Sequence, residues 1–141
     1  MITRTTTARV RYGEVDQMGF MYYGNYALYF EMGRADMIRE AGYTYAQMEK
    51  DGVVMPVIKM QCKYLRPALY DELITIETRL ETFQPASTFI TFVHRLFNEK
   101  GDLIHKGEVT LTFFDPKTQK RVPMPQVLID FLSPYFSPPA Q

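Results

Sequence analysis

The segment Asn25 to Ala41, NYALYFEMGRADMIREA, restricts the fold more than any other stretch of the chain. Tyr26, Phe30, Gly33, Met37 and Ala41 recur at helical spacing and define one face. Leu28, Tyr29, Met32, Ala35 and Ile38 cover the other sides. The charges Glu31, Arg34, Asp36, Arg39 and Glu40 are scattered rather than gathered in a stripe. A helix without a clean polar face is buried around much of its circumference, so the rest of the chain must wrap it. Asn25 is placed to cap its start by accepting a bond from a first-turn amide, and Gly42 to end it. Gly33 costs the helix about 1 kcal/mol relative to Ala, which close approach to a neighbouring backbone would offset.

The wrapping follows from the strand patterns. Ile2 to Tyr12, alternating at Val10 and Tyr12, reads as a first strand. After the helix, Tyr45 to Lys50 makes one short helical turn that ends at Asp51-Gly52. Val53 to Leu65 is a strand bent at Pro56. Leu73 to Phe83 places Ile74, Ile76 and Leu80 on one side and Thr75, Glu77, Arg79 and Glu81 on the other. Thr88 to Phe97 and Leu103 to Phe114 follow, the latter with Leu103, Val109, Leu111 and Phe113 in phase. The breaks at Arg66-Pro67-Ala68, Gln84-Pro85-Ala86, Asn98 to Asp102 and Asp115 to Thr118 carry turn residues. Arg121 to Met124 adds a short strand and Pro125 to Phe136 a short helix, and the tail from Ser137 to Gln141 is expected to fray. Strand, long helix, then further strands is an α+β order: an antiparallel sheet of about five strands around one long central helix.

The 141 residues fit one domain, residues 1–141, with its core at about 7–124. Sixteen basic residues balance sixteen acidic ones, and no cluster of Lys and Arg suggests nucleic acid. The lone Cys62 makes no intrachain disulfide, and no metal-ligand spacing exists. Met1 to Val10 lacks the apolar stretch of a signal peptide, and no apolar run approaches a membrane span. The cytoplasm is therefore the expected location. Ten Tyr, ten Phe and nine Met with no Trp describe either a well-filled core or an interior that adapts to an irregular ligand.

The chemistry concentrates in Arg11 to Gly24. Asp16 precedes the helix start by a few residues, and a carboxylate there can act as general base or attack a carbonyl itself. Free amides at Tyr23 to Tyr26 and the positive end of the helix dipole can hold an oxyanion. Asp16 alternatively only closes a turn. Glu14 either competes for the same role, since alternation places it on the same side as Asp16 if the segment is extended, or is a surface charge. Tyr12, Tyr22, Tyr23, Tyr26 and Tyr29 either wall an acyl or aryl pocket or belong to the core. His94 and His105 sit in strand patterns, away from any nucleophile motif, and read as structural. Gly13, Gly19 and Gly24 do not have phosphate-loop or dinucleotide spacing.

The run Arg11-Tyr12-Gly13-Glu14-Val15-Asp16-Gln17-Met18-Gly19, then Tyr22-Tyr23-Gly24-Asn25-Tyr26 and Tyr29-Phe30-Glu31, resembles the signature of the 4-hydroxybenzoyl-CoA thioesterase family of hotdog-fold proteins. Lys63-Tyr64-Leu65-Arg66-Pro67-Ala68, Tyr70-Asp71-Glu72-Leu73 and Gly107-Glu108-Val109 extend the resemblance, which runs from about Thr7 to Met124. It implies a hotdog fold, a homodimer joined edge to edge through its sheets and often paired into a homotetramer, and hydrolysis of an acyl-CoA without metal or organic cofactor. Asp16 matches the catalytic carboxylate and the Tyr23 amide the oxyanion donor. Gly19, Tyr22, Gly24, Asn25 and Tyr26 fall in the substrate-binding run. Lys63 and Arg66, roughly in phase with Lys59, either meet the CoA phosphates, across the dimer or within one chain, or form a solvated strand face. Many bacterial members carry a His shortly after this tyrosine, where Gly24 stands here. Other readings of the same fold are a non-catalytic acyl-CoA-binding protein, an acyl-carrier-protein thioesterase, and a dehydratase or hydratase. The last would want a His acting on the acyl chain.

Overall fold

The structure is a computed structural model that describes residues 1–136; the tail expected to fray from Ser137 lies outside the described residues. Ten elements follow in order: β1 (Ile2–Arg9), α1 (Tyr26–Glu40), α2 (Tyr45–Lys50), β2 (Val57–Tyr64), β3 (Leu73–Leu80), β4 (Phe89–Phe97), β5 (Leu103–Thr112), β6 (Phe114–Asp115), β7 (Lys120–Arg121) and α3 (Gln126–Leu132). The five long strands form one antiparallel sheet in the order β1-β3-β4-β5-β2, and β6 pairs with β7 as a separate ribbon. The sheet curls around α1, the hotdog arrangement.

Alternation decides which face meets the helix. Ile74, Ile76 and Leu80 of β3, Ile90, Phe92 and Leu96 of β4, and Val109 and Leu111 of β5 are buried against Tyr26, Tyr29, Phe30, Met37 and Ile38 of α1. Leu128 and Leu132 of α3 join the same core. Gly33 is where helix and sheet come closest: a Cβ there would overlap Thr78 Oγ1 and lie 3.2 Å from Ile76 Cγ2. The close neighbours are thus side chains of β3 rather than backbone. Gly42 takes φ +76° at the helix end, as a C-terminal cap requires.

The second strand begins at Val57 rather than Val53, the third ends at Leu80 rather than Phe83, and the last short strand is Lys120–Arg121; two further differences shape the helix entry. The first strand stops at Arg9, and Tyr12–Glu14 form a 3-10 turn, because Glu14 reaches back to accept from the Arg11 amide at 2.9 Å and so curls the chain. Asn25 does not accept from the first turn of α1. A 3-10 turn over Tyr23–Asn25 already leads into the helix, with the Asn25 amide donating to the Tyr22 carbonyl. Its side-chain amide instead donates to the Glu14 carbonyl at 2.9 Å, tying the helix entry to the preceding loop.

Candidate active site

The loop that carries Asp16 is a tight hairpin. Asp16 N donates to the Phe20 carbonyl at 2.9 Å, and Gly19 N donates back to the Asp16 carbonyl at 3.0 Å. The turn needs φ +78° at Gly19, a left-handed conformation that a side chain would strain. The hairpin is strapped to the segment before β3, where Met21 N donates to the Ala68 carbonyl and Tyr70 N to the Gly19 carbonyl. Asp16 therefore sits on a fixed backbone.

Its carboxylate closes the turn with one oxygen and leaves the other unengaged. Oδ1 closes the turn by accepting from Met18 N at 2.9 Å and Phe20 N at 3.3 Å. Oδ2 accepts no hydrogen bond among the described residues, and Asp16 lines a cleft of about 320 Å3 together with Phe20, Tyr23, Tyr26, Tyr64 and Arg66. The turn therefore leaves Oδ2 available to a molecule in the cleft.

Glu14 is a different kind of group. It is 6% exposed, and its oxygens accept from the Arg11 amide, the Arg11 guanidinium at 3.1 Å and the Tyr29 hydroxyl at 2.9 Å. Burial pushes the Glu14 carboxyl up, but the bonds from Arg11 and Tyr29 outweigh it and hold the pKa below the usual carboxylate value. Turned inward by the 3-10 turn, Glu14 does not share a side with Asp16. It braces the loop and has no free oxygen to act as a base.

The helix entry supplies the donors. Tyr23 and Gly24 open the 3-10 turn, so their amides have no partner within it. No other described group accepts from either. The Tyr23 carbonyl is held on its far side by the Tyr64 hydroxyl at 2.9 Å, which pins this turn to the end of β2. Tyr22 is exposed and packs on Tyr23 at 4.4 Å between ring centroids, and its ring also covers Gly24, where a Cβ would lie 3.0 Å away.

The five clustered tyrosines divide. Tyr26 and Tyr29 are core, Tyr22 and Tyr23 are at the surface beside the cleft, and Tyr12 packs edge-on against Tyr70 at 5.9 Å over a second depression that Asp16 also borders. Of the expected cations, Arg66 lines the Asp16 cleft and donates to Asp102 at 3.0 Å. Lys63 does not join it: it stands opposite Lys106 on β5 and lines a separate depression with Gln61 and Glu108.

Beneath the cleft lies a group whose role the strand pattern does not convey. His105 is fully buried, stacked on Tyr26 at 4.1 Å and edge-on to Tyr64 at 4.7 Å, so it forms the base on which the cleft wall rests. Tyr64 was visible in the Lys63-Tyr64-Leu65-Arg66-Pro67 run, but nothing local showed its bond to Tyr23.

Among the described residues, no group of three or more His, Cys, Asp or Glu could hold a metal ion. No helix is long and apolar enough to cross a membrane.

A fixed carboxylate with one free oxygen, in one cleft with Tyr23 at a helix entry, is suited to attack on a polarised carbonyl. The fold is shared with known proteins. Residues 10–132 match the model of the thioesterase-like superfamily. The crystal structure of a DHNA-CoA thioesterase from Staphylococcus aureus is 33% identical, with a TM-score of 0.86 over 96% of this chain and 89% of that one. YneP of Bacillus subtilis (strain 168) is 31% identical over 126 residues, 89% of this chain and 90% of that protein. The acyl-CoA thioester hydrolase YbgC of Escherichia coli O157:H7 is 26% identical over 121 residues, 86% of this chain and 89% of that protein. With the family match spanning four of the five long strands, the helix and the Asp16 loop, the chain belongs to the thioesterase-like superfamily of hotdog proteins.

Proposed function

We propose that this chain hydrolyses the thioester of an acyl-CoA to the free acid and CoA. The observation that carries the reading is the free Oδ2 of Asp16 in one cleft with Tyr23, whose amide is unengaged. The thioester carbonyl oxygen accepts from the Tyr23 amide, with Gly24 beside it, and the positive end of α1 favours the negative charge that grows there. Asp16 then either removes a proton from the attacking water or attacks the carbonyl itself, giving an anhydride that water opens. On either route the C–S bond breaks and the thiolate of CoA leaves and takes up a proton. Gly19 shapes the turn, Tyr22 and Gly24 border the donors, Asn25 locks the helix entry, and Tyr26 supplies the cleft wall. Arg66 at the rim suits the CoA phosphates. Lys63 reaches them only around the sheet edge. No metal or organic cofactor enters this mechanism.

Residues 1–141 are read as one domain working as a homodimer. β2 is an edge strand that exposes Val57, Ile58, Met60 and Tyr64, an apolar edge that invites pairing with a second copy. The resemblance extends this to a homotetramer, and the lone Cys62 makes the cytoplasm the default location. The relatives named as CoA-thioester hydrolases support acyl-CoA as the substrate.

The test is release of free thiol from a panel of aliphatic, benzoyl and phenylacetyl CoA esters by wild type and Asp16→Asn. Wild type releases thiol, and the variant keeps fold and ester binding but loses turnover by about a hundredfold or more, the usual size of a general-base contribution. Equal turnover by both would refute the assignment. Thiol release only from acyl-carrier-protein esters would move the substrate to that class, and ester binding without any release would leave a binding protein.

A further inference from the structure

A cleft of about 420 Å3 lies between α1, α2 and the entry to β2, and shares no lining residue with the Asp16 cleft. Its walls are apolar, from Met55, Pro56, Val57 and Leu111. At its inner side lie two polar groups left without partners. Arg34 is 5% exposed, its Nε has no acceptor, and no described carboxylate lies within ion-pairing distance of it. The Tyr45 hydroxyl is buried without a partner in the same cleft. Burial pushes the Tyr45 pKa up against the charge and hydrogen-bonding pull of the adjacent Arg34 guanidinium, which lies near the hydroxyl without completing a bond of good geometry, so the phenol stays protonated. A buried guanidinium lacking its counter-ion is costly, and its planar fork matches a carboxylate. Glu31 and Glu49 also line the cleft, but both are exposed to water at its rim.

Within one chain the two clefts are far apart, because Tyr64 borders one and Val57 the other. At about 3.3 Å per residue they mark opposite ends of β2, roughly 23 Å apart. A two-fold antiparallel pairing of β2 with its copy reverses that separation. Centred between Met60 and Gln61, it sets Tyr64 of one chain opposite Val57 of the other, with the strands about 4.8 Å apart. The Asp16 cleft of one protomer then abuts the Arg34 cleft of its partner.

We propose that Arg34 and Tyr45 form a subsite for the far end of the acyl group held by the partner subunit's Asp16, and that this acyl end carries a carboxylate. The inference rests on the thioesterase and dimer readings above, and it names the substrate class as ω-carboxyacyl-CoA. The apolar walls take the methylene chain, the guanidinium and the phenol take the two carboxylate oxygens, and the rim carboxylates oppose the anion without preventing it.

The test uses two CoA thioethers that cannot be hydrolysed, S-hexyl-CoA and S-(5-carboxypentyl)-CoA, titrated calorimetrically into the intact protein. Wild type binds the carboxylated one more tightly by about tenfold or more, the worth of one charge-assisted hydrogen bond. Arg34→Met collapses the ratio, Arg34→Lys keeps part of it, and Glu31→Gln widens it by removing a rim charge. A ratio near one in wild type, or a ratio that Arg34→Met leaves intact, overturns the proposal. If Arg34→Met fails to fold, the Lys and Glu31→Gln variants still decide, since a structural Arg34 predicts no change in the ratio for either. A retained preference without thiol release from adipoyl-CoA would mean that the thioesterase reading has failed and the anion subsite has not.

Discussion

Two imidazoles lie in the core, and they set how the fold responds to acid. His94 and His105 are both 0% exposed. They belong to one stacked column: Tyr26 on His105 at 4.1 Å, His105 on Phe30 at 5.4 Å, and Phe30 on His94 at 4.8 Å. His94 Nδ1 meets Thr78 Oγ1 at 3.1 Å, while its Nε2 and both nitrogens of His105 have no partner. Protonating either ring would place an unpaired charge among aromatic side chains. Burial therefore pushes the His105 pKa down to about 4. For His94, burial aided by the charge of Arg34 pushes it down to about 3.

In the unfolded chain both rings titrate near 6.5. Above that value neither state holds the protons, and stability does not depend on them. As pH falls from about 6.5 towards 4, the unfolded chain takes up two protons that the folded chain refuses, so stability drops. Each histidine contributes about 1.4 kcal/mol per pH unit in that window, hence roughly 2.7 for the pair. At pH 5 the loss is about 4 kcal/mol, a large share of the 5–15 kcal/mol that holds a typical domain together. The carboxylates act in another window. Hydrogen bonds from Arg11, Arg4 and Arg95 hold the carboxyls of Glu14, Glu40 and Glu77 below the usual carboxylate range, so their contribution is lost only as pH falls through that range.

The assay is urea unfolding at fixed protein concentration across this range, since dimerisation would otherwise enter the comparison. His105→Gln and His94→Gln should each remove about half of the pH slope, whatever they do to stability at neutral pH. A flat profile in wild type down to pH 5, or an unchanged slope in both variants, would refute the buried-neutral account.

Two further outcomes are expected. Gly33→Ala places a methyl group on Thr78 Oγ1, and overpacking of that kind costs about 1–3 kcal/mol against a propensity gain of about 1; a melting temperature that does not fall would show that α1 can move off β3. Met60→Lys sets a charge on the apolar β2 edge, where Met60 is 47% exposed, and should convert the proposed homodimer to monomer by sedimentation; a dimer of unchanged mass would place the interface elsewhere.

What was legible in the chain, and what was not, divides by sequence distance. The helix was readable because its apolar residues repeat on all sides, and a sheet had to cover them. The sheet was readable because Ile74, Ile76 and Leu80 alternate with Thr75, Glu77 and Arg79, and the burial follows that alternation. Asp16, Gly19 and Tyr23 stood out because turn, carboxylate and helix entry are neighbours in sequence. Glu14 misled because the partners that turn it inward include Tyr29, fifteen residues away, and no alternation rule reports a hydroxyl at that distance. Lys63 misled for a related reason: phase along a strand says which residues share a face, while only the pairing with Lys106 shows which face that is. Arg34 looked like one more scattered charge on α1. Its isolation exists only once α2 and the entry to β2 have folded over it. The proposed bond-breaking centre is thus local and readable, whereas the proposed acyl-reading centre is assembled from distant segments and, across the β2 seam, from a second chain. Two chains alike from Arg11 to Asn25 can therefore share a reaction and differ in substrate, and position 34 and position 45 are where such a difference should be sought.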